Sequence, residues 1–407
     1  MLGDRGGAGM QGRFRVASVA VVASVGLLLT AGCTSTPASP TRAEAAVDTA
    51  ESTPPPQATI AFTPASNTSD VAPGEPVTVT AANGKLTGVT VTDDKGKTLA
   101  GQTSADGLTW TSDQGVKISR KYRLQATAVD SDGRVTESSG FFATVAPRKV
   151  LETYISPLDG QSVGVGMPVI VRFTAPVKDR AAVEAALSVD SKKPIVGAWS
   201  WVSDEEVHFR PKEYWPAYNT VTVHVDLKGV DAGRGVWGME NRTVKFRTGS
   251  SMISVVDVDA HTLTVWRNGQ KARVIPVSTG KDGFLTRNGI KVILEKHTLK
   301  IMDARTIGIY PGDPEYYRLE VPYAMRVTWS GEFVHSAPWS VGSQGRDNVS
   351  HGCVGMAPSN AIWLFNLSTV GDIVKVTGSP RTLEAGNGYT DWNVSWDDWL
   401  AGSALQA

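Results

Sequence analysis

Strand-length runs, each ended by a turn pair, limit what residues 57–148 can fold into. Val and Thr alternate with polar residues in these runs, and the pairs Asn83-Gly84 and Asp132-Gly133 interrupt them. A period of two is typical of strands with one buried face, and Asn-Gly between two such runs predicts a β-hairpin. No run exceeds the length of a strand, so the pattern predicts an all-β sandwich.

Residues 149–250 repeat this pattern and predict a second module of similar size. The stretches "MPVIVRFTAPV" and "NTVTVHVDL" alternate as strands, and "KDRAAVEAAL" predicts one short helix. Trp199 and Trp201 lie on one face of a strand and are predicted to pack in the core. The acidic residues 204–206 predict a solvated turn. Neither module offers a cluster of acid, base and nucleophile, which favours spacers or weak binding modules.

Residues 251–378 predict a third, β-rich domain. Asn268-Gly269 turns a predicted hairpin, "IKVIL", "MRVTW", "EFVHS" and "DIVKVTG" predict further strands, and "SNAIWLFNLS" predicts a short helix that Ser359 could cap. In the tail, residues 379–407, three tryptophans follow helical spacing behind a capping-box pair: Trp392, Trp396 and Trp399, with Ser395 and Asp398. This stripe favours docking of the tail onto a folded domain over ligand binding.

The first residues predict export. Arg13 and Arg15 precede an uncharged run that is shorter than the roughly 20 apolar residues of a membrane span. Residues 1–32 therefore predict a signal peptide, and residues 33–56, rich in Thr, Ser, Pro and Ala, predict a flexible linker. "LTAGC" resembles the bacterial lipobox, although Thr30 stands where Leu is usual. That resemblance implies lipidation of Cys33 and a lipoprotein on the outer face of the cell membrane; an ordinary cleaved signal or an uncleaved anchor is the alternative.

Charge and cysteine content narrow the chemistry. Lys and Arg together number 40, as do Asp and Glu, so no basic excess indicates nucleic-acid binding. The chain has two cysteines, Cys33 and Cys353. If Cys33 carries lipid, Cys353 is a free thiol in an oxidising compartment, where thiols oxidise readily. Cys353 is then either buried and inert or chemically active.

A histidine 18 residues before Cys353 favours the active thiol. His335 ends a predicted strand, and the glycine-containing loop that follows can bring the two side chains together. A neighbouring imidazolium lowers a thiol pKa from about 8.5, and the thiolate is the nucleophile. Gly352 admits substrate to the backbone, whose N–H groups could hold an oxyanion. The alternatives are His351 as the base, or a metal site from His335, His351 and Cys353, which the close spacing and missing fourth ligand disfavour.

The motif "SHGC", preceded by "HSAPW", resembles the L,D-transpeptidases of the YkuD-like family. The order of a lipobox-like start, two Ig-like modules, a catalytic domain and a Trp-rich tail resembles the actinobacterial members. The resemblance implies a mainly β fold, with two Ig-like β-sandwiches (57–148 and 149–250) before the YkuD-like catalytic domain (251–378). It implies a peptidoglycan substrate, 3→3 cross-links formed through a cysteine thioester with release of D-Ala, covalent inhibition by carbapenem-type β-lactams, and no metal or organic cofactor.

The resemblance also assigns roles to individual residues. Cys353 matches the nucleophile, His335 the general base and acid, and Ser336 the position that orients the histidine. The remaining positions match substrate contacts, the oxyanion hole or the lid over the pocket: Met302, Tyr317, Ser330, Gly331, Trp339, His351, Gly352 and Gly355. The lid is the stretch 300–323. Gly355 departs from the family, which usually has Arg there. Tyr317 as lid packing and Ser336 as a strand-end residue are the simpler interpretations.

Two other functions fit the same residues. The acyl-enzyme could pass to water or another amine, as in an L,D-carboxypeptidase or a wall-attachment enzyme. The chain could also be a non-catalytic wall-binding lipoprotein. The four remaining histidines have no evident partner in the sequence and are predicted to be structural: His208, His224, His261 and His297.

Overall fold

The computed structural model describes residues 57–405. The predicted signal peptide, the linker and Cys33 lie outside this range. Within it, none of the helices combines the length and the apolar character needed to cross a bilayer.

The first module is a sandwich of two sheets, ordered β1-β2-β5-β4 and β3-β6-β7. Its strands are β1 (Thr59–Thr63), β2 (Thr78–Ala82), β3 (Lys85–Asp93), β4 (Gly101–Thr103), β5 (Thr109–Ser112), β6 (Lys121–Val129) and β7 (Val135–Ala143). The core between the sheets includes Val79, Trp110, Leu124 and Phe142.

One of the two predicted hairpins in this module is confirmed. The strands β6 and β7 pair around Asp132-Gly133, with Val129 opposite Val135. The prediction of a hairpin at Asn83-Gly84 is wrong, because β2 pairs with β1 and β5, whereas β3 pairs with β6. A two-residue type I′ hairpin turn needs positive φ at both central residues, and only Asn83 has it, at 58°. The turn therefore carries the chain from one sheet to the other.

The second module is also a sandwich, with sheets ordered β10-β17-β15-β12 and β13-β14-β11-β9 and a small pair β16-β8. Its strands are β8 (Lys149–Leu151), β9 (Thr153–Ser156), β10 (Ser162–Val163), β11 (Val169–Phe173), β12 (Leu187–Ser191), β13 (Gly197–Ser203), β14 (Glu206–Pro211), β15 (Thr220–Asp226), β16 (Val236–Gly238) and β17 (Asn241–Thr248). The predicted helix is α1 (Arg180–Ala185), and Trp199 and Trp201 lie in the core as predicted.

The acidic stretch 204–206 is not simply a solvated turn, contrary to expectation. The Asp204 carboxylate pairs with Lys178 and Arg180. Glu206 pairs with Arg172 and with His208. His208 is only two residues from Glu206, but Lys178, Arg180 and Arg172 come from elsewhere in the module, so no short sequence window contained them.

Residues 251–378 form a sheet in the order β21-β26-β18-β19-β20-β25-β24-β23-β22. Its strands are β18 (Met252–Asp257), β19 (Thr262–Arg267), β20 (Gln270–Ser278), β21 (Gly289–Val292), β22 (Glu295–Asp303), β23 (Arg318–Arg326), β24 (Phe333–Ser336), β25 (Val354–Met356) and β26 (Ile373–Thr377). The hairpin at Asn268-Gly269 is confirmed, and both turn residues have positive φ, 49° and 78°.

The predicted helix of this domain is α2 (Pro358–Leu367). Ser359 does not cap it, because the helix begins one residue earlier, with Ala357 at the N-cap and no side-chain cap hydrogen bond. Pro358 takes the first helical position, where its missing N–H costs nothing.

The tail joins the second sandwich to this sheet. Its tryptophans do not share one helix: Trp392 lies in a 3-10 turn (Asp391–Asn393), and α3 (Trp396–Ala401) starts after it with Ser395 as N-cap. The three rings nevertheless surround the Arg210 guanidinium of β14, at 5.1, 5.2 and 4.7 Å from their centroids. On the other side, the Asn393 amide bonds Ile290 of β21, at 2.7 Å to its N–H and 2.6 Å to its carbonyl.

A buried histidine strengthens this junction. His208 was expected to have no partner, but its Nδ1 lies 2.5 Å from Asp391 of the tail and its Nε2 lies 2.6 Å from Glu206. Burial alone would lower the pKa of His208, but the two carboxylates outweigh it and raise the pKa to about 9. The other three also have partners: His224 with Asp190, His261 with Asn348 and His297 with Glu295.

We expect His208 to make stability depend on pH in the alkaline range. Because its folded pKa lies above the unfolded value of 6.5, its contribution is complete below about pH 6.5 and is lost as pH rises through 9. The shift corresponds to a contribution on the order of 3 kcal/mol. Calorimetric melts from pH 6 to 10 should show the transition temperature of wild type falling more steeply than that of His208→Gln.

His224→Gln is the matched control, since His224 is partly exposed and faces an exposed Asp190. Its pH profile should follow wild type. Parallel profiles for wild type and His208→Gln would contradict the assignment.

Candidate active site

The pairing of two short strands places the thiol and the imidazole on one face of the sheet. Strands β24 and β25 run parallel, with Val334 opposite Val354 and His335 opposite Gly355. Val334 and Val354 are buried in the domain core. Because side chains alternate along a strand, His335 and Cys353, each next to one of these valines, project to the opposite face. The loop predicted to bring them together is the crossover between these strands.

That face carries a cavity of about 190 Å³. Its lining residues are Ser278, Met302, Tyr317, Leu319, Val321, His335, Ala337, Trp339, Ser340, Val349, Ser350, His351, Cys353 and Gly355. Seven of the predicted site residues are among them, and four are not: Ser330, Gly331, Ser336 and Gly352.

The imidazole of His335 is held in one tautomer by the main chain. Its Nδ1 lies 2.8 Å from the carbonyl oxygen of Ser336. A carbonyl can only accept, so Nδ1 carries the hydrogen and Nε2 is the free base. The ring stacks on Trp339 at 5.9 Å between centroids. Burial lowers the pKa of His335, which keeps the ring neutral at pH 7.

Cys353 is a neutral thiol in this structure. Its Sγ donates to the carbonyl of Gly331 at 3.7 Å, and burial raises the pKa of the thiol to about 12. The expectation of a thiolate stabilised by imidazolium therefore does not describe this state. The physical reason is desolvation, which disfavours the charged forms of both side chains.

The other four predicted residues do not line the cavity. Ser336 is 1% exposed and contributes its carbonyl rather than its side chain to His335. Ser330 bonds Asn387 of the tail, at 2.9 Å. Gly331 and Gly352 have φ of 104° and 118°, a region that favours glycine. The Gly352 N–H donates to the Ser350 hydroxyl at 3.1 Å and is already occupied.

His351 faces the lid. Its Nε2 lies 2.8 Å from Glu315, which also binds Lys281 at 2.7 Å. The His351 ring packs between Phe284 and Tyr317, at 4.5 and 4.9 Å. Because its Nε2 is occupied, His351 fits the role of base less well than His335. Burial raises the pKa of Tyr317 to about 12, so its hydroxyl stays protonated.

Sequence reasoning missed several wall residues. Leu319 and Val321 lie on the same face of β23, and the period-two pattern of that strand could have identified them. Ser278 and Val349 had no local signal: the Val349 N–H donates to the Ser278 hydroxyl across a separation of 71 residues. Within residues 57–405, no three His, Cys, Asp or Glu side chains are grouped to hold a metal ion.

Comparison with known proteins identifies the class of the chain. Residues 251–376 match the L,D-transpeptidase catalytic domain, and residues 68–231 match the bacterial Ig domain. L,D-transpeptidase 2 of Mycobacterium tuberculosis is 41% identical over 81% of this chain and 81% of that protein, and L,D-transpeptidase 5 is 35% identical over 88% and 79%. A solved structure of L,D-transpeptidase 3 from Mycobacterium tuberculosis with a faropenem-derived adduct is 33% identical, with a TM-score of 0.47, over 56% of this chain and 98% of that one.

The two family matches and the two relatives define a transpeptidase with a bacterial Ig domain before its catalytic domain. With 41% identity across four fifths of its length to a curated member, the chain belongs to the L,D-transpeptidase family.

The site geometry separates the contributions of His335 and Ser336. Replacing His335 by Gln removes the free base and should lower the transpeptidation rate by about 10²–10⁴-fold. Ser336→Ala should lose no more than about threefold, because the carbonyl that holds Nδ1 remains. The measurement is kcat on a disaccharide-tetrapeptide donor. A loss in Ser336→Ala that matches His335→Gln would show that the hydroxyl orients the ring.

Proposed function

We propose that this chain is a cysteine acyltransferase that forms 3→3 peptidoglycan cross-links. The observation that carries the proposal is the placement of His335 and Cys353 on one face of adjacent parallel strands, within one cavity. A thiol beside an unprotonated imidazole nitrogen is the arrangement that nucleophilic acyl transfer needs.

Acylation begins with transfer of the Cys353 proton to Nε2 of His335. The thiol turns from the Gly331 carbonyl toward the imidazole as the donor stem enters. Its sulfur attacks the carbonyl carbon after the third residue of a tetrapeptide. The C–N bond to D-Ala breaks, and the leaving amine takes the proton from Nε2. The product is a thioester on Cys353.

The second half of the reaction uses the same base. The side-chain amine of meso-diaminopimelate on a neighbouring stem gives its proton to Nε2 of His335 and attacks the thioester carbon. The C–S bond breaks and the sulfur takes the proton back. The apolar wall residues Met302, Leu319 and Val321 favour the amine over water by limiting hydration of the thioester.

The oxyanion and the donor stem need polar contacts from the wall. Tyr317 supplies a protonated hydroxyl, since its pKa lies well above neutral. At Gly355 a Cβ would lie 2.9 Å from the Cβ of Ala337, so the usual family side chain does not fit. The Ser340 hydroxyl lies 3.9 Å from the same point and supplies a polar contact in its place.

The proposed location is the outer face of the bacterial cell membrane. The uncharged run and the "LTAGC" sequence support export and lipidation of Cys33. The linker 33–56 would let the folded part reach peptidoglycan stems.

Product analysis tests the proposal directly. Incubation with a disaccharide-tetrapeptide should yield a cross-linked dimer that lacks one D-Ala, and Cys353→Ala should yield none. Mass spectrometry distinguishes the dimer from a tripeptide, the product of hydrolysis, and from an exchange product. A carbapenem should add its mass to wild type and not to Cys353→Ala, whereas an unmodified wild-type protein would favour a non-catalytic wall-binding role.

The lid supplies a second prediction. Glu315 joins the lid to Lys281 and His351, and Tyr317 packs on the same His351 ring. The hydrogen bond from Lys281 holds the pKa of Glu315 below its usual value, so the carboxylate stays charged. Removing this contact should loosen the lid and raise KM for the donor by roughly threefold, with a small change in kcat.

Glu315→Gln and Glu320→Gln form the matched pair, because Glu320 is an exposed lid residue. Hydrogen exchange of residues 304–317 should accelerate in Glu315→Gln alone. Equal exchange in the two variants would show that the lid is held by other contacts.

A further inference from the structure

A group of buried charges lies behind the nucleophile, and the acyl-transfer steps do not use it. Glu332 is 4% exposed and Lys291 is 1% exposed. The Lys291 ammonium donates to Glu332 Oε2. Arg287 donates to Glu332 Oε1 from both its guanidinium and its main-chain N–H, each at 3.0 Å. Burying charges in this way is costly unless each is paired, as these are.

This charge group contacts the two backbone segments next to the Cys353 thiol, the one around Gly331 and the one at Gly352. Glu332 stands between Gly331, whose carbonyl accepts from the Cys353 thiol, and Phe333, the first residue of β24. A Cβ added to Gly352 would lie 3.6 Å from Glu332 Oε1. Next to Arg287, the Thr286 hydroxyl donates to the Gly352 carbonyl at 2.9 Å.

We propose that Lys291 and Glu332 are positioning residues that set the charge state of the Cys353 thiol through opposite electrostatic effects. Lys291 favours the thiolate that forms during acylation. Glu332 opposes the thiolate and holds Lys291 and the Gly331–Phe333 segment in place. The proposal rests on the proposed role of Cys353 as the nucleophile.

The electrostatics of the thiol agree with this geometry. Burial has the largest effect on the Cys353 pKa and raises it; among the charged side chains, Glu332 also raises it, whereas Lys291 lowers it. The effect is reciprocal, because Cys353 raises the pKa of Lys291 in a site where burial lowers it. The remaining titratable or charged groups around the thiol come from the lid, β23, β24, the loop before Cys353 and the loop after β20: Tyr317, Arg326, His335 and His351 with Glu315 and Lys281. They are unchanged in the variants below.

The sign of the charge gives the test. The second-order rate of Cys353 alkylation by iodoacetamide follows the thiolate fraction between pH 7 and 9.5. Lys291→Met should slow alkylation at least threefold, and Glu332→Gln should accelerate it at least threefold. Lys375→Met, which removes an exposed lysine of β26, should match wild type. A purely structural role would move both buried variants in the same direction, and that result, or no change in either, would overturn the proposal.

Two further measurements keep the test decisive. If a single variant does not fold, the double variant Lys291→Met/Glu332→Gln, which removes both charges, replaces it. Its alkylation rate should lie within about threefold of the wild-type rate. A larger change in rate would overturn the proposal. Alkylation needs no turnover, so its outcome is separate from the proposed function. Cross-linking that persists in Cys353→Ala would reject the proposed function. Alkylation rates that change in the same direction in Lys291→Met and Glu332→Gln would reject only the role of the charge group.

Discussion

The parallel register between β24 and β25 is the constraint on which the site depends. Val334 opposite Val354 buries one face of each strand, and this fixes the other face as the one that carries His335 and Cys353. A shift of one residue would exchange the faces and place the imidazole in the core. The hydrophobic core of the domain therefore selects the catalytic geometry, because two valines can be buried only when the histidine faces the cavity.

Desolvation governs the resting chemistry of this site. It raises the pKa of Cys353 to about 12 and lowers that of His335, so the neutral forms of both are favoured. A neutral thiol resists oxidation better than a thiolate. The Ser336 carbonyl leaves Nε2 of His335 without the hydrogen, and Glu332, paired with Lys291, directly follows Gly331, whose carbonyl accepts from the thiol. Burial and one main-chain carbonyl therefore set the protonation of both side chains.

The rest of the molecule holds this domain in place. Three tail tryptophans make cation–π contacts with Arg210 of the second sandwich. One of them, Trp392, also packs against Val292 and Ile373 of the nine-stranded sheet. Asp391 and His208 add a buried ion pair at the same junction. Farther along, Asn387 of the tail bonds Ser330, next to the Gly331 carbonyl that accepts from the thiol. The tail therefore contacts both the second sandwich and the segment next to the carbonyl that accepts from the Cys353 thiol.

Local sequence determined the strand periods, the hairpins at Asp132-Gly133 and Asn268-Gly269, the short helices and the His335–Cys353 pair, because each depends on neighbouring residues or on a motif. Tertiary structure alone decided which sheet follows Asn83-Gly84, where the tail tryptophans meet, and which buried charges lie near Cys353. Glu332 and Lys291 are 41 residues apart, and His208 and Asp391 are 183 apart. Such pairs form when packing removes water from both partners, and no local pattern records that event.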